Sequence, residues 1–323
     1  MFKTKITEML GIEYPIIGGT MMHLSQAEFT AAISEAGCLG ILASANYQDK
    51  ESFRQAIHDI RSRTHKPFAV NLNMFPARKR LDNHLYIDVI LEEGVGIVET
   101  SGHKAPEEYV DRLKSAGVKL IHKCVGVRYA KKAESLGVDA VTVVGYENGG
   151  ATGVLDVTTL CLVPRVVDSV GIPVIAGGGV ADGRGLVAVL ALGADAVIMG
   201  TRLLTAEECP LHPNIKQQLL SASELDTMLV LRTVGNTHLV WKNKAAELTT
   251  QMEQRGASLE ELFQVISGDQ ARSMYFEGDA DAGLLACGQG IGLVKEIKPV
   301  KEIIKEILEG AQEAIKRLKS LVE

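Results

Sequence analysis

Short apolar segments alternate with longer amphipathic segments over roughly the first 200 residues of the chain. The apolar segments are rich in β-branched residues and end at glycine or other turn residues, which predicts buried strands. Each is followed by apolar residues at helical spacing. A strand–helix alternation with eight strands predicts an α/β fold, namely a (β/α)8 TIM barrel. The predicted strands are 14–17, 39–44, 68–73, 97–100, 119–124, 140–144, 173–177 and 196–199.

An internal repeat supports this interpretation. Residues 136–141 (Leu-Gly-Val-Asp-Ala-Val) return as residues 192–197 (Leu-Gly-Ala-Asp-Ala-Val), 56 positions later. In both copies a helix ends on glycine, a short turn carries aspartate and a strand follows. No G-x-G-x-x-G follows the first predicted strand, so a Rossmann dinucleotide site is disfavoured.

The predicted helices follow from the same periodicity. Ser25 is expected to be the N-cap of the first of them, with Glu28 completing a capping box. The N-terminal residues lead into a strand-like segment without a long apolar signal core. The predicted helices are 25–36, 50–63, 85–93, 106–116, 127–136, 158–169 and 184–192.

The pattern changes beyond Thr201. Residues 206–295 lack strong strands and predict a mostly helical and irregular added subdomain that covers the barrel mouth. The segment from 295 to 321 is charged and amphipathic and predicts a C-terminal helix that packs back on the barrel. The expected domains are therefore a barrel over 1–205, a cap over 206–295 and a helix over 296–323.

Composition narrows the function classes. The chain has 323 residues, a net charge of -6 and no long basic run, so nucleic acid is not an expected partner. Its five cysteines are odd in number and form no C-x-x-C pair, which is typical of a reduced, cytoplasmic protein. The most apolar window, 186–200, is too short to span a membrane.

Glycines end the last two predicted strands. Gly177, Gly178 and Gly179 close the first of these strands, and Gly200 with Thr201 closes the second. Glycine lets the backbone approach a ligand closely and leaves N–H groups to bind it. This position in a (β/α)8 barrel is a known phosphate site. The alternative is that the glycines only make tight turns between strand and helix.

The other strand ends carry amides and one cation. They contain no pair of carboxylates and no cluster at metal-ligand spacing, so hydrolysis by two acids or by a metal is unsupported. Lys123 ends an apolar strand and could lie beside a developing anion, or extend to solvent. Its neighbour His122 should face the opposite way and pack. Asn71 and His23 are further candidates, with a turn amide and an exposed loop histidine as the alternatives.

These residues resemble the nitronate monooxygenase (2-nitropropane dioxygenase-like) family of FMN enzymes. That family also holds an NADH:quinone reductase class, which this chain resembles most, and the flavin-type enoyl-acyl carrier protein reductases. The resemblance covers most of the chain. Its carriers are Tyr14-Pro15-Ile16-Ile17 with Gly19 and Met21, Val70-Asn71-Leu72, Ile121-His122-Lys123-Cys124, Gly145-Tyr146-Glu147-Asn148-Gly149-Gly150, 176–185 (Ala-Gly-Gly-Gly-Val-Ala-Asp-Gly-Arg-Gly) and Met199-Gly200-Thr201-Arg202.

The resemblance implies FMN as cofactor, NADH or NADPH as co-substrate, a small-molecule substrate and a homodimer. It places the FMN phosphate on Gly178, Gly179, Gly200 and Thr201. Ring or ribityl contacts would come from Met21, Asn71 and Lys123. The remaining implied cofactor-binding positions are Gly19, Gly150, Ala151 and Gly177.

Two positions depart from the family pattern. The glycine-rich loop usually ends in a histidine that faces the flavin, and here that position is Ala151. The opening motif has Gly18 where the family commonly has glutamine. An imidazole is suited to taking a carbon-bound proton near neutral pH. Our hypothesis is that His23 or Tyr146 partly replaces it, which would make His23, Lys123 and Tyr146 the catalytic residues.

The expected function is reduction of a quinone-like or enone-like acceptor by NAD(P)H through FMN. Three alternatives stay open: nitronate oxidation with oxygen, reduction of an enoyl thioester, and flavin binding without turnover. The sequence does not choose between NADH and NADPH. The basic cluster 78–80 (Arg-Lys-Arg) could meet a 2′-phosphate or could be a solvated loop.

Overall fold

The computed structural model describes residues 2–75 and 82–322. Eight of its strands are parallel and form one sheet, in which the first strand lies beside the last. A parallel bridge between Ile17 and Leu39 joins the first strand to the second and closes the barrel. The predicted (β/α)8 barrel is therefore confirmed. The strands are β1 Ile16–Gly18, β2 Gly40–Ala43, β3 Phe68–Asn73, β4 Ile97–Ser101, β5 Lys119–Cys124, β6 Ala140–Val144, β7 Gly150–Ala151, β8 Val174–Gly177, β9 Ala196–Met199, β10 Thr227–Val230 and β11 His238–Trp241.

Helices alternate with the barrel strands as the periodicity predicts. The helix predicted over 50–63 has the same bounds in the structure. None of the helices in the described part of the chain is long and apolar enough to cross a membrane. The helices are α1 Lys5–Leu10, α2 Ala27–Glu35, α3 Lys50–Arg63, α4 Asn83–Glu92, α5 Glu107–Ser115, α6 Val127–Ser135, α7 Thr159–Val167, α8 Gly183–Ala191, α9 Pro213–Leu219, α10 Lys244–Gln254, α11 Leu259–Ile266, α12 Gly268–Arg272 and α13 Val300–Lys319.

The N-terminal segment is helical, so its strand-like interpretation was wrong. Thr4 and Thr7 form a reciprocal capping box that starts α1, with each backbone N–H bound by the other residue's hydroxyl. The capping box predicted for Ser25 was also wrong. Helix α2 has Gln26 as N-cap without a side-chain bond, because the Ser25 hydroxyl instead accepts the Met21 N–H at 2.9 Å.

A second sheet corrects the prediction that residues 206–295 lack strands. Strand β11 pairs antiparallel with both β10 and the short β7. Each of these strands has at most four residues, too few for an alternating pattern to stand out. Strands β10 and β11 are neighbours in the chain, but β7 comes from a distant part of the sequence, so only the tertiary fold completes this sheet.

The chain divides into two compact units. The barrel unit comprises Met1–Val144, Leu160–Gly177 and Leu186–Ile198, and the second unit comprises Gly145–Thr159, Gly178–Gly185 and Met199–Glu323. Inward-facing residues of the strands, such as Ile121 and Ile175, form the barrel core, and Ile6 and Leu10 of α1 extend it. The second unit has its own cluster around Val230 and Leu262.

Helix α13 belongs to the second unit and has the amphipathic pattern expected from the sequence. Val300, Ile303, Ile304 and Ile307 are buried on one face. The helix lies directly against Gly183, where a Cβ atom would come within 2.1 Å of a backbone nitrogen of α13. Only glycine permits this approach.

Candidate functional site

The loop after β8 has the backbone geometry of an anion site. Gly178 and Gly179 are consecutive left-handed residues, with φ of +98° and +75°. The N–H groups of Gly178, Gly179 and Val180 donate to no acceptor within the described residues. Successive N–H groups in such a turn converge on an anion. Asp182 caps the following helix by accepting the N–H groups of Arg184 and Gly185.

The loop after β9 adds further donors in the same unit. Within residues 2–75 and 82–322, the N–H groups of Gly200 and Thr201 have no protein acceptor either. The Thr201 hydroxyl accepts the N–H of Gly288 at 2.9 Å and keeps its own proton for another acceptor. Gly290 approaches the backbone of Gly179, so one short segment contacts both loops. Five unpaired amides and one hydroxyl fit a phosphate, which offers only acceptors.

The loop after β6 is held by its own acidic residue. The Glu147 carboxylate accepts both the N–H and the hydroxyl of Thr159 at 2.9 Å, at the start of α7. The Thr159 hydroxyl also lies 2.9 Å from the carbonyl oxygen of Gly178, which links this loop to the loop after β8. Tyr146 is half-buried, and its N–H binds the carbonyl oxygen of Val157.

Ala151 has a histidine as its cross-strand neighbour. In the register of β7 and β11, Ala151 lies directly opposite His238. Residues that pair in this way project from the same face of a sheet, with Cβ atoms about 5 Å apart. The His238 Nδ1 atom lies 2.6 Å from the carbonyl oxygen of Asn236, which can only accept. Nδ1 therefore carries the proton, and Nε2 carries the lone pair.

In the barrel unit, the predicted Asn71 belongs to a polar cluster at the carboxyl ends of β3 and β4. Oε2 of Glu99 accepts the Asn71 amide at 2.7 Å and the Thr20 hydroxyl at 2.9 Å. The Ser101 hydroxyl accepts the same Asn71 amide at 3.2 Å. With its nitrogen used twice, Asn71 has only its carbonyl oxygen left, so it suits a ligand N–H rather than an acceptor.

Glu99 is the site residue that the sequence analysis missed. Its side chain is 1% exposed, and Oε1 has no partner among the described residues. A buried polar atom without a partner is uncommon and needs an explanation, such as a bound group. The signal was a charged residue in the interior of a predicted buried strand, where Glu99 follows Ile97 and Val98 directly.

Lys123 is the last residue but one of β5. It lies opposite Ser101 in the register and so shares its face of the sheet. It is half-buried, and no acidic side chain in the described part of the chain pairs with it. His122 faces the other way, as expected, with Nδ1 2.9 Å from the Thr100 hydroxyl. Burial lowers the pKa of His122 from 6.5 to about 4, so the ring is neutral at pH 7.

The loop after β1 contains the other predicted residues of the barrel unit. Gly19 is buried and Met21 is half-buried, with the Met21 N–H bound to Ser25. His23 is half-buried and has a left-handed φ of +65°. Its N–H donates to Asn46 Oδ1 at 2.8 Å, which ties this loop to the one after β2.

No group of metal-ligating side chains occurs among residues 2–75 and 82–322. The basic cluster 78–80 lies outside the described residues. The site residues therefore form two sets, each within its own unit: backbone donors after β8 and β9, and polar side chains after β1, β3, β4 and β5.

Comparisons with known proteins agree with this description. The family model for nitronate monooxygenase matches residues 3–85 and 74–310. A curated (3aS,4S,5R,7aS)-5-hydroxy-7a-methyl-1-oxo-octahydro-1H-indene-4-carboxyl-CoA dehydrogenase from Rhodococcus jostii is 32% identical over 361 residues, which covers 99% of this chain and 98% of the relative. A probable nitronate monooxygenase from Staphylococcus aureus is 32% identical over 292 residues, and the match covers 78% of this chain and 81% of the relative.

Solved structures give the same result. FabK from Thermotoga maritima is 36% identical with a TM-score of 0.92, and the match covers 99% of this chain and 100% of that one. Nitroalkane oxidase from Streptomyces ansochromogenes is 25% identical with a TM-score of 0.85, over 97% and 99% of the two chains. The chain thus belongs to the nitronate monooxygenase family of flavin-type oxidoreductases.

Proposed function

We propose that this enzyme binds FMN, takes electrons from NADH or NADPH, and reduces a small conjugated acceptor that is quinone-like or enone-like. The observation that carries the proposal is the set of five N–H groups after β8 and β9 without a protein acceptor among the described residues. Bound FMN would supply hydride transfer, for which side chains offer no equivalent.

The donors after β8 and β9 would hold the FMN phosphate. Gly178, Gly179, Gly200 and Thr201 are the residues named by the sequence, and the N–H of Val180 joins them. The Thr201 hydroxyl adds a donor that Gly288 fixes in direction. Gly150, Ala151 and Gly177 remain proposed contacts of the cofactor, as the family resemblance implies.

In the barrel unit, Asn71 and Lys123 would contact the ring, with Gly19 and Met21 beside them. The hydrogen bond from Asn71 to Glu99 fixes the Asn71 carbonyl as an acceptor for a ring N–H. Lys123 would stabilise negative charge that develops on the ring during reduction, because no carboxylate in the described residues neutralises it.

Reduction of an enone-like acceptor also needs a proton at carbon. His23 and Tyr146 were the residues proposed from the sequence. We add His238, because it lies opposite Ala151 and the Asn236 carbonyl fixes the tautomer with the lone pair on Nε2. After protonation, Nε2 would be the donor.

The name of the Rhodococcus jostii relative describes a carboxyl-CoA dehydrogenase, which supports an acceptor that is attached to CoA as a thioester. The test is anaerobic mixing of the FMN-loaded protein with NADH or NADPH while flavin absorbance is followed. We expect rapid bleaching, then reoxidation by a quinone or by crotonyl-CoA. Bound FMN that neither nicotinamide bleaches would refute the proposal and would favour a flavin-binding protein without turnover.

Nitronate oxidation with oxygen is the second candidate. It is supported by the family model and by the name of the Staphylococcus aureus relative. An anionic nitronate has already lost its carbon-bound proton. Its oxidation therefore does not need a histidine as base at the position that Ala151 occupies. Bleaching by a nitronate, with no bleaching by either nicotinamide, would establish this function instead.

A further inference from the structure

A depression on the outer side of the barrel unit remains unassigned. It lies between the loop after β4 and the start of α6, and its volume is about 260 Å³. That is slightly below the usual range of about 300–1,000 Å³ for ligand pockets and suits part of a nucleotide rather than a whole cofactor. The residues that line it include His122, Tyr129, the cations Lys104, Arg128 and Lys132, and one acid, Glu107.

Three cations and one acid line the depression, although the chain as a whole carries a net charge of -6. Lys132 pairs with Glu107 at 2.5 Å. Lys104 and Arg128, by contrast, have no acidic partner within residues 2–75 and 82–322. Helix α6 also starts here on Gly126, with no side-chain cap and no acid in its first turn. Unpaired cations beside an uncapped helix start attract phosphate.

Two further lining residues, Tyr129 and His122, suit a purine. Tyr129 is 44% exposed, so its ring has a face available for stacking. His122 is 2% exposed, and the Thr100 hydroxyl lies 2.9 Å from its Nδ1 and 3.4 Å from the Ile121 carbonyl. Because that hydroxyl donates to the carbonyl, it accepts from Nδ1–H, and Nε2 keeps its lone pair. Burial lowers the pKa of His122, so Nε2 stays an acceptor for an amino group at neutral pH.

We propose that this depression binds the phosphorylated adenosine end of the enzyme's nucleotide, with Arg128 and Lys104 on the phosphate, Tyr129 on the base and His122 accepting its amino group. The inference rests on the proposed reductase function. Two sources share this chemistry: the adenosine 2′-phosphate of NADPH and the adenosine 3′-phosphate of a CoA thioester.

The test titrates the FMN-loaded protein with adenosine 2′,5′-bisphosphate, with adenosine 3′,5′-bisphosphate and with 5′-AMP, by calorimetry. We expect one bisphosphate to bind more tightly than 5′-AMP. Arg128→Gln should raise its Kd roughly tenfold because a charge-assisted bond is lost. Tyr129→Ala, at an exposed position, should raise it too. Lys131→Gln is the matched control, since Lys131 is exposed on the same helix but does not line the depression.

The preferred bisphosphate identifies the source, and Arg128→Gln should raise KM for the matching substrate, NADPH or crotonyl-CoA. Absence of bisphosphate binding, or equal weakening by Arg128→Gln and Lys131→Gln, would overturn the proposal. Binding that Arg128→Gln weakens, in a protein whose flavin neither nicotinamide bleaches, would uphold the depression as a nucleotide site and refute the reductase function separately.

Discussion

Replacing Gly179 with alanine tests whether the amides after β8 hold the FMN phosphate. Gly179 has φ of +75°, and an added Cβ would lie 3.3 Å from the Cβ of Glu147, a tight contact that a shift of a few tenths of an ångström relieves. The main penalty is therefore the left-handed backbone, about 1–2 kcal/mol for a residue other than glycine.

The apoprotein can avoid that penalty by rotating the loop, which turns the N–H groups of Gly179 and Val180 away from the phosphate position. FMN binding must then restore the left-handed conformation. The backbone strain appears as lost affinity, so we expect Gly179→Ala to raise the Kd for FMN roughly 5- to 30-fold. The assay is quenching of FMN fluorescence during titration of the apoprotein.

Gly137→Ala is the matched control. Gly137 has φ of +87°, and no heavy atom lies within 4 Å of its added Cβ. The same penalty there falls equally on the apoprotein and the FMN complex, so the melting temperature should drop while the Kd stays unchanged. Equal Kd values for the two variants would show that the turn at Gly179 does not bind the phosphate.

Three further substitutions test side chains of the barrel unit. Glu99→Gln replaces one acceptor of the Asn71 amide by a group that also donates, so Asn71 should reorient; we expect a shifted flavin absorption spectrum and roughly tenfold slower reduction. Ser101→Ala, which removes the longer bond, should change both less. Between pH 6.5 and about 4, His122 binds fewer protons in the folded protein than in the unfolded chain. The contribution of its neutral ring to the free energy of unfolding is therefore complete above pH 6.5 and is lost as the pH falls. Urea unfolding should therefore show that wild type loses about 3 kcal/mol more over that window than His122→Asn; parallel curves would contradict the assigned burial.

The barrel and its strand ends were predictable because both depend on local pattern. A buried strand needs apolar residues over its whole length, and a turn between strand and helix needs glycine. The strand from Ala196 to Met199 and the helix from Lys50 to Arg63 therefore have the predicted bounds. Ser25 shows the limit of a local rule: its hydroxyl satisfies the N–H of Met21 and is not available to cap α2.

Residues defined by pairing between distant segments were not predictable. Glu99 is part of the site because the register of β3 and β4 places it beside Asn71. His238 became a candidate because its strand pairs with Gly150–Ala151, and neither strand has a pattern of its own. Such contacts depend on register, where a shift of one residue moves a side chain to the opposite face of the sheet.

Moving the imidazole from position 238 to position 151 tests whether a histidine on the face of the small sheet shared by Ala151 and His238 serves as the proton donor. We expect His238→Ala to slow reduction of an enone by roughly 100-fold or more, the contribution typical of a general acid. Anaerobic flavin reduction by the nicotinamide should be unaffected, because hydride transfer requires no proton from this face. Ala151→His in the same background places an imidazole on the neighbouring position, about 5 Å away between Cβ atoms, and should restore much of the lost rate.

His23→Ala and Tyr146→Phe, made separately, test the two earlier candidates by the same measurement. Full enone turnover in His238→Ala, with loss in His23→Ala, would assign the proton to the loop after β1 instead.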